Sequence, residues 1–247
     1  MSRIDCNQHY VRYKVKKQNN MYDRSVKQWN PFVGCRFDCS YCRKSFQRML
    51  KRWGKKNCQP CYNFEPHTHP LRLNAPLPRT TGNQFIFVCA TGDISFCPEP
   101  FMTMIIDRIK KCSAKTFLLQ SKNPLIFDKY LPLPNNVILG TTVETDNTVL
   151  AGTVSKAPNT MLRCSALAIL NHPRKMVTIE PIMKFNLTVL SLWIKVIGPE
   201  FVYIGFDSVG SSFPQPDPRK AMELVNRLRC YGIEVIVKKL SGNLFNY

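Results

Sequence analysis

The 247-residue sequence predicts an α/β protein, a partial and open βα barrel of about six or seven mostly parallel strands. Two observations predict it. Short β-branched or aromatic runs alternate with stretches of helical periodicity, and each run is almost continuously apolar, as in strands covered on both faces. A short strand at Phe32–Val33 is expected to lead into a cysteine-rich loop, which places that loop after the first strand. The other strands are predicted at 84–90, 115–120, 136–143, 175–179, 201–206 and 234–237.

Helices are predicted between these strands, at 100–112, 160–170, 187–196 and 218–230. In the first of them, Phe101, Met104, Ile105 and Ile109 share one face. The length suits one domain of barrel size. We place that domain at residues 29–247, after a basic N-terminal extension at residues 1–28.

Charge is the most unusual feature of the composition. The formal net charge is +19, and residues 1–60 hold fifteen Lys or Arg against three Asp. Such an excess is either a solvated basic surface or a binding surface for a polyanion, most simply a nucleic acid. The sequence has no apolar window of membrane-spanning length and no secretory signal, so we expect a cytoplasmic protein that does not enter a membrane.

Residues 35–42 contain three closely spaced cysteines, in the pattern C-x3-C-x2-C. Cys35, Cys39 and Cys42 predict a 4Fe–4S cluster in which one iron has no protein ligand. An open iron can bind the amino and carboxylate groups of S-adenosylmethionine, and reductive cleavage then yields a 5′-deoxyadenosyl radical. The alternative is a structural zinc site, which the three-residue gap fits poorly.

This motif, with Tyr41 before its last cysteine, resembles the signature of the radical S-adenosylmethionine (radical SAM) superfamily. Further segments, among them Trp29-Asn30-Pro31, Phe64-Glu65-Pro66 and Thr178-Ile179-Glu180-Pro181, resemble an uncharacterised phage- and bacterial-type family of radical-SAM-like proteins. The likeness covers roughly residues 26–240, and the spore photoproduct lyase type is more distantly similar. It implies a radical SAM enzyme that receives electrons from a donor such as flavodoxin or ferredoxin.

Polar residues follow five of the predicted strands, where parallel barrels bind their ligands. By the resemblance, Gly92 and Asp93 contact the amino group of S-adenosylmethionine, and Glu144 and Glu180 contact its ribose or other polar groups. Cys97 is a candidate hydrogen donor. The complete set of predicted cofactor-binding residues is Tyr41, Gly92, Asp93, Ser121, Lys122, Glu144, Glu180 and Asp207.

Residues 43–56 carry seven basic residues and no acid. Helical spacing predicts an apolar face of Phe46, Met49, Leu50 and Trp53 opposite a basic face. The basic face is either solvated surface or a phosphate-binding ridge, and we assign it to tRNA or DNA binding. The predicted function is therefore a radical SAM enzyme that modifies or repairs a nucleic acid or nucleotide. Two alternatives stay open: a peptide- or protein-modifying radical enzyme, and a metal-stabilised nucleic-acid-binding module without turnover. The ridge residues are Lys44, Arg48, Lys51, Arg52 and Lys55.

A second group of metal-ligating residue types follows, comprising Cys58, Cys61, His67 and His69. Its spacing is tighter than is usual for zinc. The sequence therefore favours a reduced surface thiol pair and leaves a second metal site open.

Overall fold

The computed structural model describes residues 21–43, 47–207 and 210–238. In this part of the chain, seven parallel strands form one open, curled sheet in the order β1-β4-β5-β6-β7-β8-β9. The predicted α/β partial barrel is confirmed. Its strands are β1 (Ser25–Trp29), β4 (Phe85–Val88), β5 (Phe117–Gln120), β6 (Val137–Thr142), β7 (Lys175–Ile179), β8 (Phe201–Ile204) and β9 (Glu234–Val237).

The first strand of the barrel was predicted at the wrong place. It is β1, at Ser25–Trp29, and it pairs in parallel with β4. Phe32–Val33 (β2) instead pairs antiparallel with His67–Thr68 (β3) in a separate two-stranded sheet. The strand β1 lies at the edge of the main sheet and carries Lys27 and Gln28, so it lacks the continuous apolar run on which the prediction depended.

Four helices cover one face of the sheet: α5 (Glu99–Lys110), α7 (Thr160–Ile169), α8 (Leu187–Ile197) and α9 (Pro218–Cys230). The last three begin at Asn159, Asn186 and Asp217, whose side chains accept hydrogen bonds from the first helical turn. The predicted face of α5 is wrong at Met104, which is 49% exposed. The other α-helices are α1 (Ser40–Cys42), α2 (Arg48–Asn57), α3 (Gln59–Asn63), α4 (Pro70–Leu73) and α6 (Thr148–Val154).

The other face of the sheet has its own apolar cluster, which includes Leu118, Ile138, Met176 and Phe201. Tyr22, which the sequence analysis placed in the N-terminal extension, is fully buried in this cluster. Its hydroxyl donates a hydrogen bond to Gln120 Oε1 at 2.7 Å. This second cluster fills the interior of the half-barrel, and the polar site lies next to it, at the carboxyl ends of the strands. None of the helices in the described ranges is both long and apolar enough to cross a membrane.

Candidate active site at the carboxyl ends of the strands

The inner face of the half-barrel changes from apolar to polar along each strand. Side chains alternate between faces, so Lys122 follows Leu118 and Gln120 on the inner face, and Glu144 follows Ile138 and Thr142. Gln120 Nε2 donates to Thr142 Oγ1 at 3.1 Å across the two strands. The polar residues predicted from strand ends therefore lie at one rim, as parallel topology requires.

Two glycines bring the cysteine loop, residues 35–42, against this rim. Gly34 N donates to Thr91 O at 3.1 Å, and Asp93 N donates to Gly34 O at 3.1 Å. A Cβ atom on Gly92 would lie 2.4 Å from Gly34 O, and one on Gly34 would lie 2.1 Å from Glu65 O. Only glycine permits these backbone approaches, so Gly92 has a structural role beside its predicted cofactor contact.

The three loop thiols differ in their surroundings. Cys39 is buried, and its Sγ lies 3.1 Å from Ser155 Oγ. Cys35 Sγ accepts a hydrogen bond from the backbone N–H of Phe37 at 3.4 Å. Burial raises the pKa of Cys42 to about 12, and it raises the pKa of Cys35 further above its usual range. Cys35 and Cys42 therefore hold their protons at neutral pH unless a cation displaces them.

A buried ionic network ties the loop to the rim. Glu144 Oε1 accepts hydrogen bonds from the Tyr41 hydroxyl and the Lys122 ammonium, which also donates to the Tyr41 oxygen at 2.5 Å. Glu144 Oε2 accepts from Arg163 Nη1 at 2.8 Å, and the same Nη1 donates to Thr142 O at 2.8 Å. The network thus joins α1, α7 and the ends of β5 and β6.

Electrostatics keeps Glu144 ionised although its side chain is only 1% exposed. Burial by itself raises the pKa of this carboxyl group, but the charges of Arg163 and Lys122 outweigh it and lower the pKa to about 2. Burial, and after it the Glu144 charge, raises the pKa of Tyr41, so the phenol stays protonated as a donor. Both carboxylate oxygens of Glu144 already accept hydrogen bonds from protein donors. The predicted contact of Glu144 with the cofactor stays a prediction.

Arg163 is the main residue of this network that the sequence analysis missed. It lies on α7 between apolar neighbours and is 1% exposed. The signal was a single arginine in a helix that carries no other charge, since a buried guanidinium needs an acidic partner.

Asp93 links the ends of β4 and β5. Its Oδ1 accepts hydrogen bonds from Ser95 N at 3.0 Å, Ser95 Oγ at 2.8 Å and Ser121 Oγ at 2.6 Å. Its Oδ2 accepts from Lys122 N at 2.8 Å. A carboxylate oxygen has two lone-pair directions, so an incoming ammonium group must use Oδ2. The predicted contact between Asp93 and S-adenosylmethionine remains a prediction, now limited to that atom.

Glu180 belongs to a second part of the rim. Its Oε2 accepts a hydrogen bond from Lys238 Nζ at 2.5 Å, and Lys238 Nζ lies 4.9 Å from the centre of the Tyr22 ring. Asp207 accepts a hydrogen bond from the backbone N–H of Ser211. The structure therefore brings Tyr41, Lys122 and Glu144 together, while Glu180 pairs with Lys238.

The proposed hydrogen donor Cys97 packs against the helix-covered core. It follows the short 3-10 helix Ile94–Phe96 that Asp93 caps, and burial raises the pKa of its thiol to about 12. Its role as a hydrogen donor stays a prediction.

The predicted apolar face of residues 43–56 needs correction. On α2, Leu50 is buried, but Met49 is 56% and Trp53 45% exposed. The inward face instead uses Gly54, whose Cβ position lies 2.5 Å from Tyr62 N on α3. Because Gly54 allows α2 to approach α3 closely, the inward face of α2 differs from the apolar face that the sequence periodicity predicted. Lys51, Arg52 and Lys55 are exposed; Lys44 and Phe46 lie outside the described residues, and of Arg48 only the backbone is described.

Cys58, Cys61, His67 and His69 form a compact group, in which the four ligand atoms lie within 4.8 Å of one another. The prediction of a surface thiol pair is wrong for Cys61, which is 1% exposed. The sequence spacing missed this convergence because it depends on the backbone turn after α3, where Phe64 N donates to Cys61 O at 3.1 Å and Glu65 N donates to Pro60 O at 2.9 Å.

Comparison with known structures agrees with the fold. The fold is similar to the crystal structure of a radical SAM methyltransferase from Sphaerobacter thermophilus, with a TM-score of 0.56 and 14% identity over 90% of this chain and 68% of that one. The chain belongs to the family described as "Protein of unknown function (DUF5131)", whose model matches residues 22–211. No curated protein matches it.

Proposed function

We propose that this protein is a radical SAM enzyme. One observation carries the proposal: the C-x3-C-x2-C loop lies at the carboxyl-end rim of a parallel half-barrel, beside charged groups from two neighbouring strands. Ligands of parallel α/β folds bind at that rim. Cys35, Cys39 and Cys42 would hold a 4Fe–4S cluster there. When bound and reduced, the cluster supplies the electron that cleaves S-adenosylmethionine to methionine and a 5′-deoxyadenosyl radical.

The loop fits a cluster by its surroundings. The N–H of Phe37 that donates to Cys35 Sγ is the kind of bond that stabilises a cluster thiolate. Cys35 and Cys42 pack on a small apolar cluster of Val33, Leu50 and Phe64, which limits access of water. Within the described residues, the groups of ligand atoms that converge closely enough for one ion do not include the loop thiols, which disfavours a mononuclear zinc site there.

The surrounding residues would position this loop. Glu144 holds the Tyr41 hydroxyl, and the Tyr41 ring meets Phe213 edge-on, with 6.2 Å between ring centres. Phe213 is buried and comes from the segment after β8, so this segment closes over the rim. The network keeps α1 fixed, and the aromatic pair excludes water from the same side. Both effects serve a reaction that must avoid stray hydrogen donors.

We further propose that the substrate is a nucleic acid. The support is the basic helix, α2, which follows the cysteine loop and exposes Lys51, Arg52 and Lys55 together with Trp53. No acidic residue occurs between Arg43 and Asn63. Phosphate-binding cations next to an exposed indole suit a polynucleotide, since the cations track the backbone and an aromatic ring can stack on a base.

The class of enzyme is tested by anaerobic reconstitution. We expect about four irons per chain, broad visible absorption and conversion of S-adenosylmethionine to 5′-deoxyadenosine under reduction. The triple variant with Cys35, Cys39 and Cys42 changed to Ala should lose all three properties, while Cys112→Ser should retain them. Iron content and absorption are independent of turnover. A colourless protein that binds nucleic acid but never cleaves S-adenosylmethionine would instead be the non-enzymatic module.

A further inference from the structure

A second group of metal-ligating side chains lies in the segment between the cysteine loop and the remainder of the barrel. Cys58 follows α2 in extended conformation, and Cys61 lies on α3. His67 lies on β3, and His69 precedes α4. We propose that these four side chains, the Cys–His group, bind one zinc ion.

The distances fit a single tetrahedral ion. His67 Nε2 lies 3.4 Å from Cys58 Sγ and 3.3 Å from Cys61 Sγ, and His69 Nε2 lies 3.3 Å from Cys61 Sγ. With Zn–S near 2.3 Å and Zn–N near 2.0 Å, tetrahedral geometry separates sulfur from nitrogen by about 3.5 Å. All four ligand atoms lie within 4.8 Å of one another, so one central ion can reach each of them.

Hydrogen bonds alone account poorly for the arrangement. His67 Nδ1 lies 2.7 Å from Glu65 O, a carbonyl that can only accept, so Nδ1 carries the proton. Nε2 then has one lone pair, yet two sulfur atoms lie 3.3–3.4 Å from it. This single lone pair can point at one of the two sulfur atoms or at a position between them. A metal ion bound to both sulfur atoms would lie at that intermediate position.

The carbonyl of Glu65 also accepts the hydrogen bond that a metal-binding histidine usually makes with its second ring nitrogen. A metal-binding histidine usually donates its other ring N–H to a carbonyl or carboxylate, which fixes the tautomer and the ring orientation. His67 has this arrangement before any metal binds. Cys58 and Cys61 are both free thiols, so no disulfide competes for them. Two thiolates with two imidazoles favour zinc over magnesium, calcium or manganese.

The position of the site indicates what the ion does. His67 pairs with Val33 across the two-stranded sheet, and His69 N donates to Pro31 O at 2.6 Å. Phe64 O accepts a hydrogen bond from Cys35 N at 3.3 Å, directly behind the cysteine loop. Zinc would therefore join α2 and α3 to the backbone on which the loop rests. The ion is structural, because four protein ligands leave no open position.

The test is the metal content of the full-length protein purified with zinc present, measured by mass spectrometry. We expect about one zinc per chain in wild type, in Cys112→Ser and in the triple loop variant. Cys58→Ser and His67→Gln should lose it. Since an outer-shell change alone costs roughly 10–100-fold in metal affinity, loss of a ligand should weaken zinc binding by at least about 100-fold.

Cobalt(II) substitution gives a second readout that does not depend on folding yield. Wild type should show the visible ligand-field bands of tetrahedral cobalt with a sulfur-to-cobalt charge-transfer band, and Cys58→Ser should lose both. The inference is overturned if wild-type protein holds no zinc or cobalt at this group, or if Cys58 and Cys61 are recovered as a disulfide. It is also overturned if zinc disappears with the loop cysteines but survives Cys58→Ser. Zinc without an iron cluster would refute the proposed function alone.

Discussion

The cysteine loop and the Cys–His group border the same small apolar cluster, yet they are built differently. The loop has its three ligands within eight consecutive residues, and tertiary contacts with Gly92, Ser155 and Glu144 hold it in place. The Cys–His group draws its ligands from consecutive short elements, and the two-stranded sheet holds His67 among them. A loop held from outside can present an open cofactor, whereas ligands that converge on one point suit a closed structural ion.

The largest expected effect is a reciprocal loss of metal. Changing the three loop cysteines to Ala should remove all cluster iron and leave zinc unchanged, because the two ligand sets share no residue. Cys58→Ser should remove zinc and leave most of the iron. Iron, sulfide and zinc assays on both variants check this. Joint loss of both metals in either variant would show that the two regions form a single site.

The ionic network that holds the loop should contribute strongly to stability. Glu144→Gln leaves Arg163 and Lys122 buried without their anion, which typically costs about 3–5 kcal/mol. The matched control is Glu200→Gln, which breaks the partly exposed pair with Arg174 and should cost less than about 1 kcal/mol. Urea unfolding of the two variants makes the comparison. Equal losses would mean that the network does not hold the loop.

The same network predicts a dependence of stability on pH. The pKa of Glu144 is about 2 in the folded protein, against about 4.3 in an unfolded chain. A carboxyl group with a lowered folded pKa stabilises the fold above its unfolded pKa, and this stabilisation is lost as pH falls towards the folded value. Wild type should therefore lose stability between about pH 5 and pH 2 more steeply than Glu144→Gln. Parallel slopes for the two proteins in acid unfolding would contradict the assignment.

The basic helix α2, which directly precedes the Cys–His group, is predicted to bind nucleic acid, a role that the loop lacks. Neutralising Arg48, Lys51, Arg52 and Lys55 should lower the slope of log affinity against log salt by a few units, since each phosphate contact on duplex DNA contributes about 0.9. Cleavage of S-adenosylmethionine without substrate should be unchanged. Binding of tRNA and DNA across a salt series measures the effect. Equal, shallow slopes would direct the substrate search to peptides and small molecules.

The smallest expected effect is at Asp93. A charge-assisted hydrogen bond from Oδ2 to the ligand ammonium contributes about 1.5–3 kcal/mol, so Asp93→Ala should weaken S-adenosylmethionine binding by at least about tenfold. Ser95→Ala is the control, because it removes a hydrogen bond to Oδ1 without touching Oδ2. Calorimetry on protein with an intact cluster gives both dissociation constants. A tenfold loss in both variants would assign Asp93 to positioning the strand end.

The sequence by itself determined the α/β barrel, the position of the cysteine loop and the rim location of Lys122 and Glu144. These follow from local information, because strand periodicity, apolar runs and ligand spacing are properties of neighbouring residues. Only the tertiary structure decided three other features: β1 as the first strand, Arg163 as the partner of Glu144, and the convergence of the Cys–His group. Each depends on backbone or side-chain contacts that no local sequence pattern records. An edge strand need not be apolar, and a buried charge is explained only by its partner.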